Sequence, residues 1–115
     1  MEENLSTSFP LTETTYFILL SLSPGPRHGY SIMKDVRQLS HGRVLLSTGT
    51  LYSALKRLLD LGWIERSGDP QGQQDGRGRK AYHLSGLGGR ILENEILRLQ
   101  TLVSAANLRA LGDRA

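Results

Sequence analysis

The sequence predicts a mainly α-helical fold that carries one small β-hairpin and ends in a long helix. Three observations lead there. Apolar residues recur at helical spacing in four segments, separated by Pro-rich, Gly-rich or polar breaks. Two short β-prone runs, residues 63–66 and 80–84, flank a polar loop rich in glycine. The last helical segment keeps its spacing further than a 115-residue chain can cover with its own core.

Taken in order, residues 1–10 read as a short polar arm that ends at Phe9-Pro10. Thr12 is the expected N-cap of the first helix, and Glu13 suits its positive end. Tyr16, Leu19, Leu20 and Leu22 form its apolar stripe, and Ser23-Pro24-Gly25-Pro26 stops it. A second short helix starts near Gly29, with Tyr30, Met33 and Val36 at helical spacing, Ile32 on the flank, and Lys34, Asp35, Arg37 and Gln38 polar. Ser40-His41-Gly42 is a turn, and Leu45-Leu46 a short strand or an extended link.

The third helix has the clearest signal. Ser47 or Thr48 caps it, Leu51, Leu55, Leu58 and Leu59 mark its buried face, and Gly62 stands where a helix-ending glycine belongs. The hairpin follows: residues 63–66, a polar loop to Gly78, and a return strand at 80–84. Arg77, Arg79 and Lys80 crowd the far side of that loop. The last helix is expected over residues 87–111. Leu92, Ile96, Leu99, Val103, Ala106 and Ala110 recur at alternating spacings of four and three, a heptad seam. A helix of ~25 residues is about 37 Å long and overhangs so small a domain. A second copy of the chain would bury the seam, and the alternative is packing back onto the first helix.

Composition narrows the function. There are no cysteines, which excludes disulfides and thiolate metal sites. No apolar run approaches the ~20 residues of a membrane span, and the N-terminus lacks the apolar stretch of a secretory signal, so a soluble cytoplasmic protein is expected. The net charge of +3 is unevenly spread. Residues 1–26 hold three acids and no Lys or Arg, whereas residues 27–80 hold ten basic and five acidic residues. The middle of the chain is therefore suited to a polyanion.

The order helix, helix, turn, helix, basic hairpin is that of a winged helix-turn-helix. Such a domain places its third helix in the major groove of duplex DNA, N-terminal residues leading. Short hydroxyls and cations are needed on the exposed face, and Ser47, Thr48, Gly49, Thr50, Tyr52, Ser53, Lys56 and Arg57 supply them. Tyr30 and Lys34 of the second helix join them as expected DNA contacts. The hairpin tip adds Arg77, Arg79 and Lys80 beside flexible glycines, which suits a wing lying on the backbone or in the minor groove. Residues 11–85 are then the DNA-binding domain and residues 86–115 the dimerisation helix, with Leu92, Ile96, Leu99, Val103 and Ala106 at the interface.

Three blocks over residues 11–111 resemble the PadR family of transcriptional regulators. His28-Gly29-Tyr30-Ser31-Ile32 is similar to its second-helix motif. The run from Gly49 to Leu58, followed by Gly62-Trp63-Ile64, is similar to its recognition helix, and the run from Gly78 to Ser85 to its wing strand. The resemblance implies a homodimer joined through the C-terminal helix, a repressor, and a pseudo-palindromic operator. The short C-terminus is similar to the family's short subgroup, in which some members bind flat aromatic effectors between the two C-terminal helices. It places Leu99 at that centre with Tyr16 nearby, although Leu99 is aliphatic where drug-binding relatives present an aromatic platform.

Other chemistry finds little support. His28, His41 and His83 lie far apart with no second ligand at helical spacing, so no metal site is expected. There is no Gly-x-Ser-x-Gly elbow, and Glu93 and Glu95 face different directions, so neither an enzyme nor a cofactor is expected. A protein-interaction module built on the winged fold, and a nonspecific DNA-coating protein, remain the competing readings.

Overall fold

The computed structural model describes residues 10–68 and 80–111. Helix α1 spans Glu13–Leu22, strand β1 Arg27–His28, helix α2 Gly29–Leu39 and helix α3 Thr48–Asp60. Strands β2, Ile64–Ser67, and β3, Ala81–Leu84, precede the long helix α4, Gly86–Ala106. A π-helical turn, Asn107–Leu111, continues it. The fold is thus mainly helical with a small sheet and a long last helix, as the periodicity predicts.

Three of the four helices, α1, α3 and α4, start where a hydroxyl accepts from an amide of the first turn. Thr12 Oγ1 accepts from Thr15 N at 3.1 Å, and Ser47 Oγ from Thr50 N at 3.1 Å. Ser85 Oγ accepts from Gly88 N at 3.0 Å and donates to the Gly62 carbonyl, which ties α4 to the end of α3. That cap starts α4 at Gly86, one residue before the sequence expectation. His28 holds the N-cap position of α2 with extended backbone. Gly62 ends α3 at φ 77°, the left-handed region that glycine enters without steric cost.

The sheet has three strands, in the order β1-β3-β2, both pairings antiparallel. Glu65 lies opposite His83 and Arg66 opposite Tyr82 in the hairpin. The third strand was not expected. Arg27 and His28 pair with Tyr82 and Ala81, and two residues carry no alternation to detect. Leu45 and Leu46 are a link rather than a strand.

The core joins Ile18, Leu19 and Leu22 of α1 to Ile32 and Val36 of α2 and Leu51, Leu55 and Leu58 of α3. Trp63, Ile64, Tyr82, Ile91 and Leu92 close it. Two expectations are corrected. On α1, Ile18 is fully buried whereas Tyr16 and Leu20 are only half-buried. The helix is apolar almost all round, so its periodicity does not single out a face. On α2, Ile32 and Val36 face the core and Tyr30 is 69% exposed.

Helix α4 changes character along its length. Its first half packs inside the chain: a Cβ on Gly88 would fall on the Trp63 carbonyl, and Ile91 and Leu92 are buried. Glu95 is also buried, at 2% exposure. Its carboxylate accepts two bonds from Arg98, at 2.8 and 2.7 Å, and one from Leu11 N at 3.3 Å. The Arg98 hydrogen bonds hold this carboxyl below its usual range, against the opposing effect of burial. From Gln100 to Arg109 every residue is exposed.

Candidate nucleic-acid interface

Helix α3 turns Leu51, Leu55 and Leu58 inward, so at about 100° per residue the opposite face carries Gly49, Ser53, Lys56 and Asp60. Thr50 and Arg57 lie on one flank and Tyr52 on the other. Thr48, Gly49, Thr50, Ser53, Lys56 and Arg57 are all exposed. Ser47 Oγ donates to Thr50 Oγ1 at 2.9 Å, so these two hydroxyls build the cap and stand at the leading end of the helix. A Cβ on Gly49 would meet nothing within 4 Å, so no contact inside the described residues demands glycine there.

Lys56 Nζ lies 3.8 Å from Asp60 Oδ2, an exposed i,i+4 pair that holds the ammonium only weakly. Tyr52 is held more firmly. Its ring and hydroxyl lie over Gly29, where any Cβ would collide with them. Burial raises the Tyr82 hydroxyl above its ordinary pKa, and nearby Tyr52 adds to the rise. Tyr52 therefore braces α3 against the start of α2 while staying partly exposed.

Tyr30 and Lys34 stand together on the outer face of α2, with Lys34 Nζ 5.7 Å from the Tyr30 ring centroid. Arg37 and Leu45 join them around a shallow concavity of about 310 Å³. Sequence reasoning placed Arg37 on the polar face without a role, and only the return of the 44–47 link alongside α2 brings Leu45 there.

Of the predicted wing cations, Arg77 and Arg79 lie outside the described residues; Lys80 is exposed just before β3. The sequence reading missed the wing's base. His83 Nδ1 lies 2.6 Å from Ser67 Oγ, and Nε2 lies 3.1 Å from Glu65 Oε1. This cross-strand chain ties the end of β2 to β3, with Arg66 exposed beside it.

The expected dimer residues divide. Leu92 lies in the chain's own core and has little surface left for a second copy. Ile96 and Leu99 are half-buried, and Val103 and Ala106 are exposed. Leu97, Leu102, Val103 and Leu108 are large apolar side chains left more than half exposed. Tyr16 and Leu99 do come together, lining with Ile96 and Val103 a concavity of about 570 Å³ between α1 and α4.

Among the described residues no helix is long and apolar enough to cross a membrane. No group of three His, Cys, Asp or Glu side chains there is placed to hold a metal ion.

A family model described as the transcriptional regulator PadR-like family matches residues 18–94. A PadR family transcription regulator from hypervirulent Clostridium difficile superposes with a TM-score of 0.71 and 28% identity, covering 84% of this chain and 97% of that one. A PadR-like transcription factor from Bacteroides fragilis has a TM-score of 0.66 and 27% identity, covering 93% and 99%. Bacillus subtilis PadR, solved in complex with operator DNA, has a TM-score of 0.64 and 26% identity, over 76% of this chain and 47% of that one. No curated protein matches the sequence.

Proposed function

The chain belongs to the PadR-like family of transcriptional regulators, and on that premise we propose that it is a dimeric, sequence-specific DNA-binding repressor acting in the cytoplasm. The observation that carries this reading is the outer face of α3. It is capped by Ser47, free of side-chain bulk at Gly49, and furnished with hydroxyl and ammonium groups that nothing in the core uses. Amides at the leading end of α3 suit a phosphate, and Ser53 and Lys56 stand a turn apart along one line into a groove. Residues 11–85 act as the DNA-binding domain. The wing base, with Arg66 exposed on β2 and Lys80 exposed just before β3, lies along the backbone and adds charge without reading sequence.

The second half of α4, from Leu97 onward, is the dimerisation element in this proposal. Its exposed leucines and Val103 make an apolar stripe that a second α4 would cover. Two α3 helices related by a two-fold axis then meet an inverted repeat. The bound state of the Bacillus subtilis relative, on operator DNA, supports this partner.

A second reading concerns control. The concavity holding Tyr16 and Leu99 has apolar walls with Gln100 and Ser104 at its side, lies at the proposed two-fold axis and is large enough for a flat aromatic effector. Such a ligand would shift the spacing of the two α3 helices and so relieve repression.

The test is a duplex titration by fluorescence anisotropy at several salt concentrations. Each phosphate contact contributes about −0.9 to the slope of log affinity against log salt. Lys56→Ala is expected to weaken binding to all duplexes and to reduce that slope by about one. An unchanged slope and affinity would refute the placement of α3. An interaction module would bind no duplex at any salt, and a DNA-coating protein would bind all duplexes equally.

A further inference from the structure

Strands β2 and β3 present Glu65, Ser67 and His83 on one face of the hairpin. Alternation along each strand puts them there, and Glu65 lies directly opposite His83 in the register. Ser67, the last residue of β2, reaches the other side of the same ring. Its Oγ lies 2.6 Å from Nδ1, and Glu65 Oε1 lies 3.1 Å from Nε2. Glu65 is exposed, whereas Ser67 and His83 are half-buried.

The direction of these bonds is fixed at one end. A carboxylate only accepts, so Nε2 carries a proton whether the ring is neutral or charged. In the neutral ring Nδ1 is then a bare lone pair, and the Ser67 hydroxyl gives it its only proton. The free side of Oγ presents lone pairs, and the Glu65 charge stands uncancelled on this face. Protonation of the ring reverses the bond. Nδ1 now donates to Oγ, the hydroxyl proton turns outward, and the imidazolium cancels the Glu65 charge. One proton thus converts a face that repels phosphate oxygen into one that offers it a hydrogen bond.

The other charged groups on the elements packed against β3 are engaged elsewhere or stand apart. Arg27 of β1 donates to the Ser21 carbonyl and lies 3.8 Å from Asp35. Glu13 of α1 pairs with Arg43, and Glu95 of α4 with Arg98. His28 of β1 lies opposite Ala81, and Tyr16 of α1 lines the concavity with Leu99. Arg90 and Glu93 of α4 are exposed. On the hairpin itself, Arg66 and Lys80 alternate to the opposite face, which they share with Tyr82.

We propose that Ser67 is a proton-dependent phosphate contact of the wing base, with His83 and Glu65 as the positioning residues that set the direction of its hydroxyl. The contact rests on the DNA-binding reading above, whereas the reversal of the Ser67–His83 bond does not. A phosphate at Ser67 favours the imidazolium, so duplex binding takes up a proton, and affinity rises as pH falls. Histidine is the side chain whose charge changes between about pH 5 and 8, which sets the window to search.

The experiment has two arms. Nitrogen-15 spectra of the imidazole, recorded without DNA, read the ring alone. They are expected to show the proton on Nε2 and an accepting Nδ1 at about pH 8, and protons on both nitrogens at about pH 5.5. The second arm measures affinity for one duplex by fluorescence anisotropy at about pH 6 and about pH 8, at fixed salt, in the native chain, His83→Gln and Ser67→Ala. All three chains keep His28 and His41, whose contribution therefore subtracts. Between the two pH values the native chain is expected to gain about threefold more affinity than His83→Gln, the scale of one exposed charged contact. Ser67→Ala, which keeps the ring, is expected to lose most of that gain. Equal pH dependence in the native chain and His83→Gln would overturn the proposal. So would a Ser67→Ala chain that keeps the full gain, which would assign the effect to the imidazolium charge alone. A proton on Nδ1 rather than Nε2 at the higher pH, or a ring still neutral at the lower, would overturn the reversal itself. Ring spectra as expected with no duplex bound at either pH would refute the DNA reading, and the phosphate contact with it, while the reversal stands.

Discussion

Glu95→Gln is expected to destabilise the fold by about 2 kcal/mol at neutral pH. The carboxylate accepts two bonds from Arg98, at 2.8 and 2.7 Å, and one from the Leu11 amide at 3.3 Å. Hydrogen bonds to a charged group contribute about 1.5–3 kcal/mol each when buried. Glutamine keeps one carbonyl oxygen and turns an NH₂ toward groups that are themselves donors, so the bidentate pair is lost. Arg98 is about one-third exposed and regains water, which returns part of the loss and brings the net to about 2 kcal/mol. At roughly 4 °C per kcal/mol for a domain of this size, the midpoint should fall by about 8 °C.

The pH dependence gives a second, independent check. The folded-state pKa of Glu95 is lowered from its reference of 4.5, chiefly by Arg98. A depressed carboxyl contributes stability that is fully present above the unfolded pKa and is lost as pH falls through the folded one. The gap between the native chain and Glu95→Gln should therefore be constant near pH 7 and close below about pH 4.5, because protonated Glu resembles Gln. Circular dichroism melts at one fixed protein concentration measure both. A midpoint change under about 2 °C at pH 7, or a gap that persists undiminished in acid, would refute the assignment of this clamp between α4 and the start of α1.

Two further outcomes follow from the packing of α4. Gly88→Ala should cost about 3 kcal/mol, since its Cβ would fall on the Trp63 carbonyl, whereas Gly89→Ala, with open space at its Cβ, should be neutral or slightly stabilising; equal melting points for the two would contradict the described junction. Val103→Asp should raise the dimer dissociation constant by about thirtyfold, as a buried unpaired carboxylate costs about 2 kcal/mol. Sedimentation equilibrium would read it, and an unchanged constant would exclude the second half of α4 as the interface.

What was legible in the sequence follows the strength of local signals. Helix α3 was, because Ser47, three leucines and Gly62 each mark a separate feature of it, and all agree. Thr12 was legible as a cap for the same reason. Strand β1 was not, since its two residues are extended only through pairing with β3. The burial of Leu92 in the chain's own core was not legible, because a heptad seam cannot tell a covering helix of the same chain from one of a second copy. The first turns of α4 are buried at Ile91 and Leu92 whereas every residue from Gln100 to Arg109 is exposed, a distinction that only tertiary placement makes. Glu95 was read only as an acid that faces away from Glu93 and forms no carboxylate pair with it. Its partners are Arg98, three residues on, and the Leu11 amide, 84 residues away, and only the first leaves a trace in the sequence. Tyr16 and Leu99 were placed together by family resemblance, and the concavity between α1 and α4 does hold both.

The most direct test of the central claim is selection of duplexes from a random pool by the full chain, at two salt concentrations, followed by sequencing. The account predicts an enriched inverted repeat whose affinity falls steeply as salt rises. Recovery of the pool without enrichment, or no binding at either salt, would contradict it.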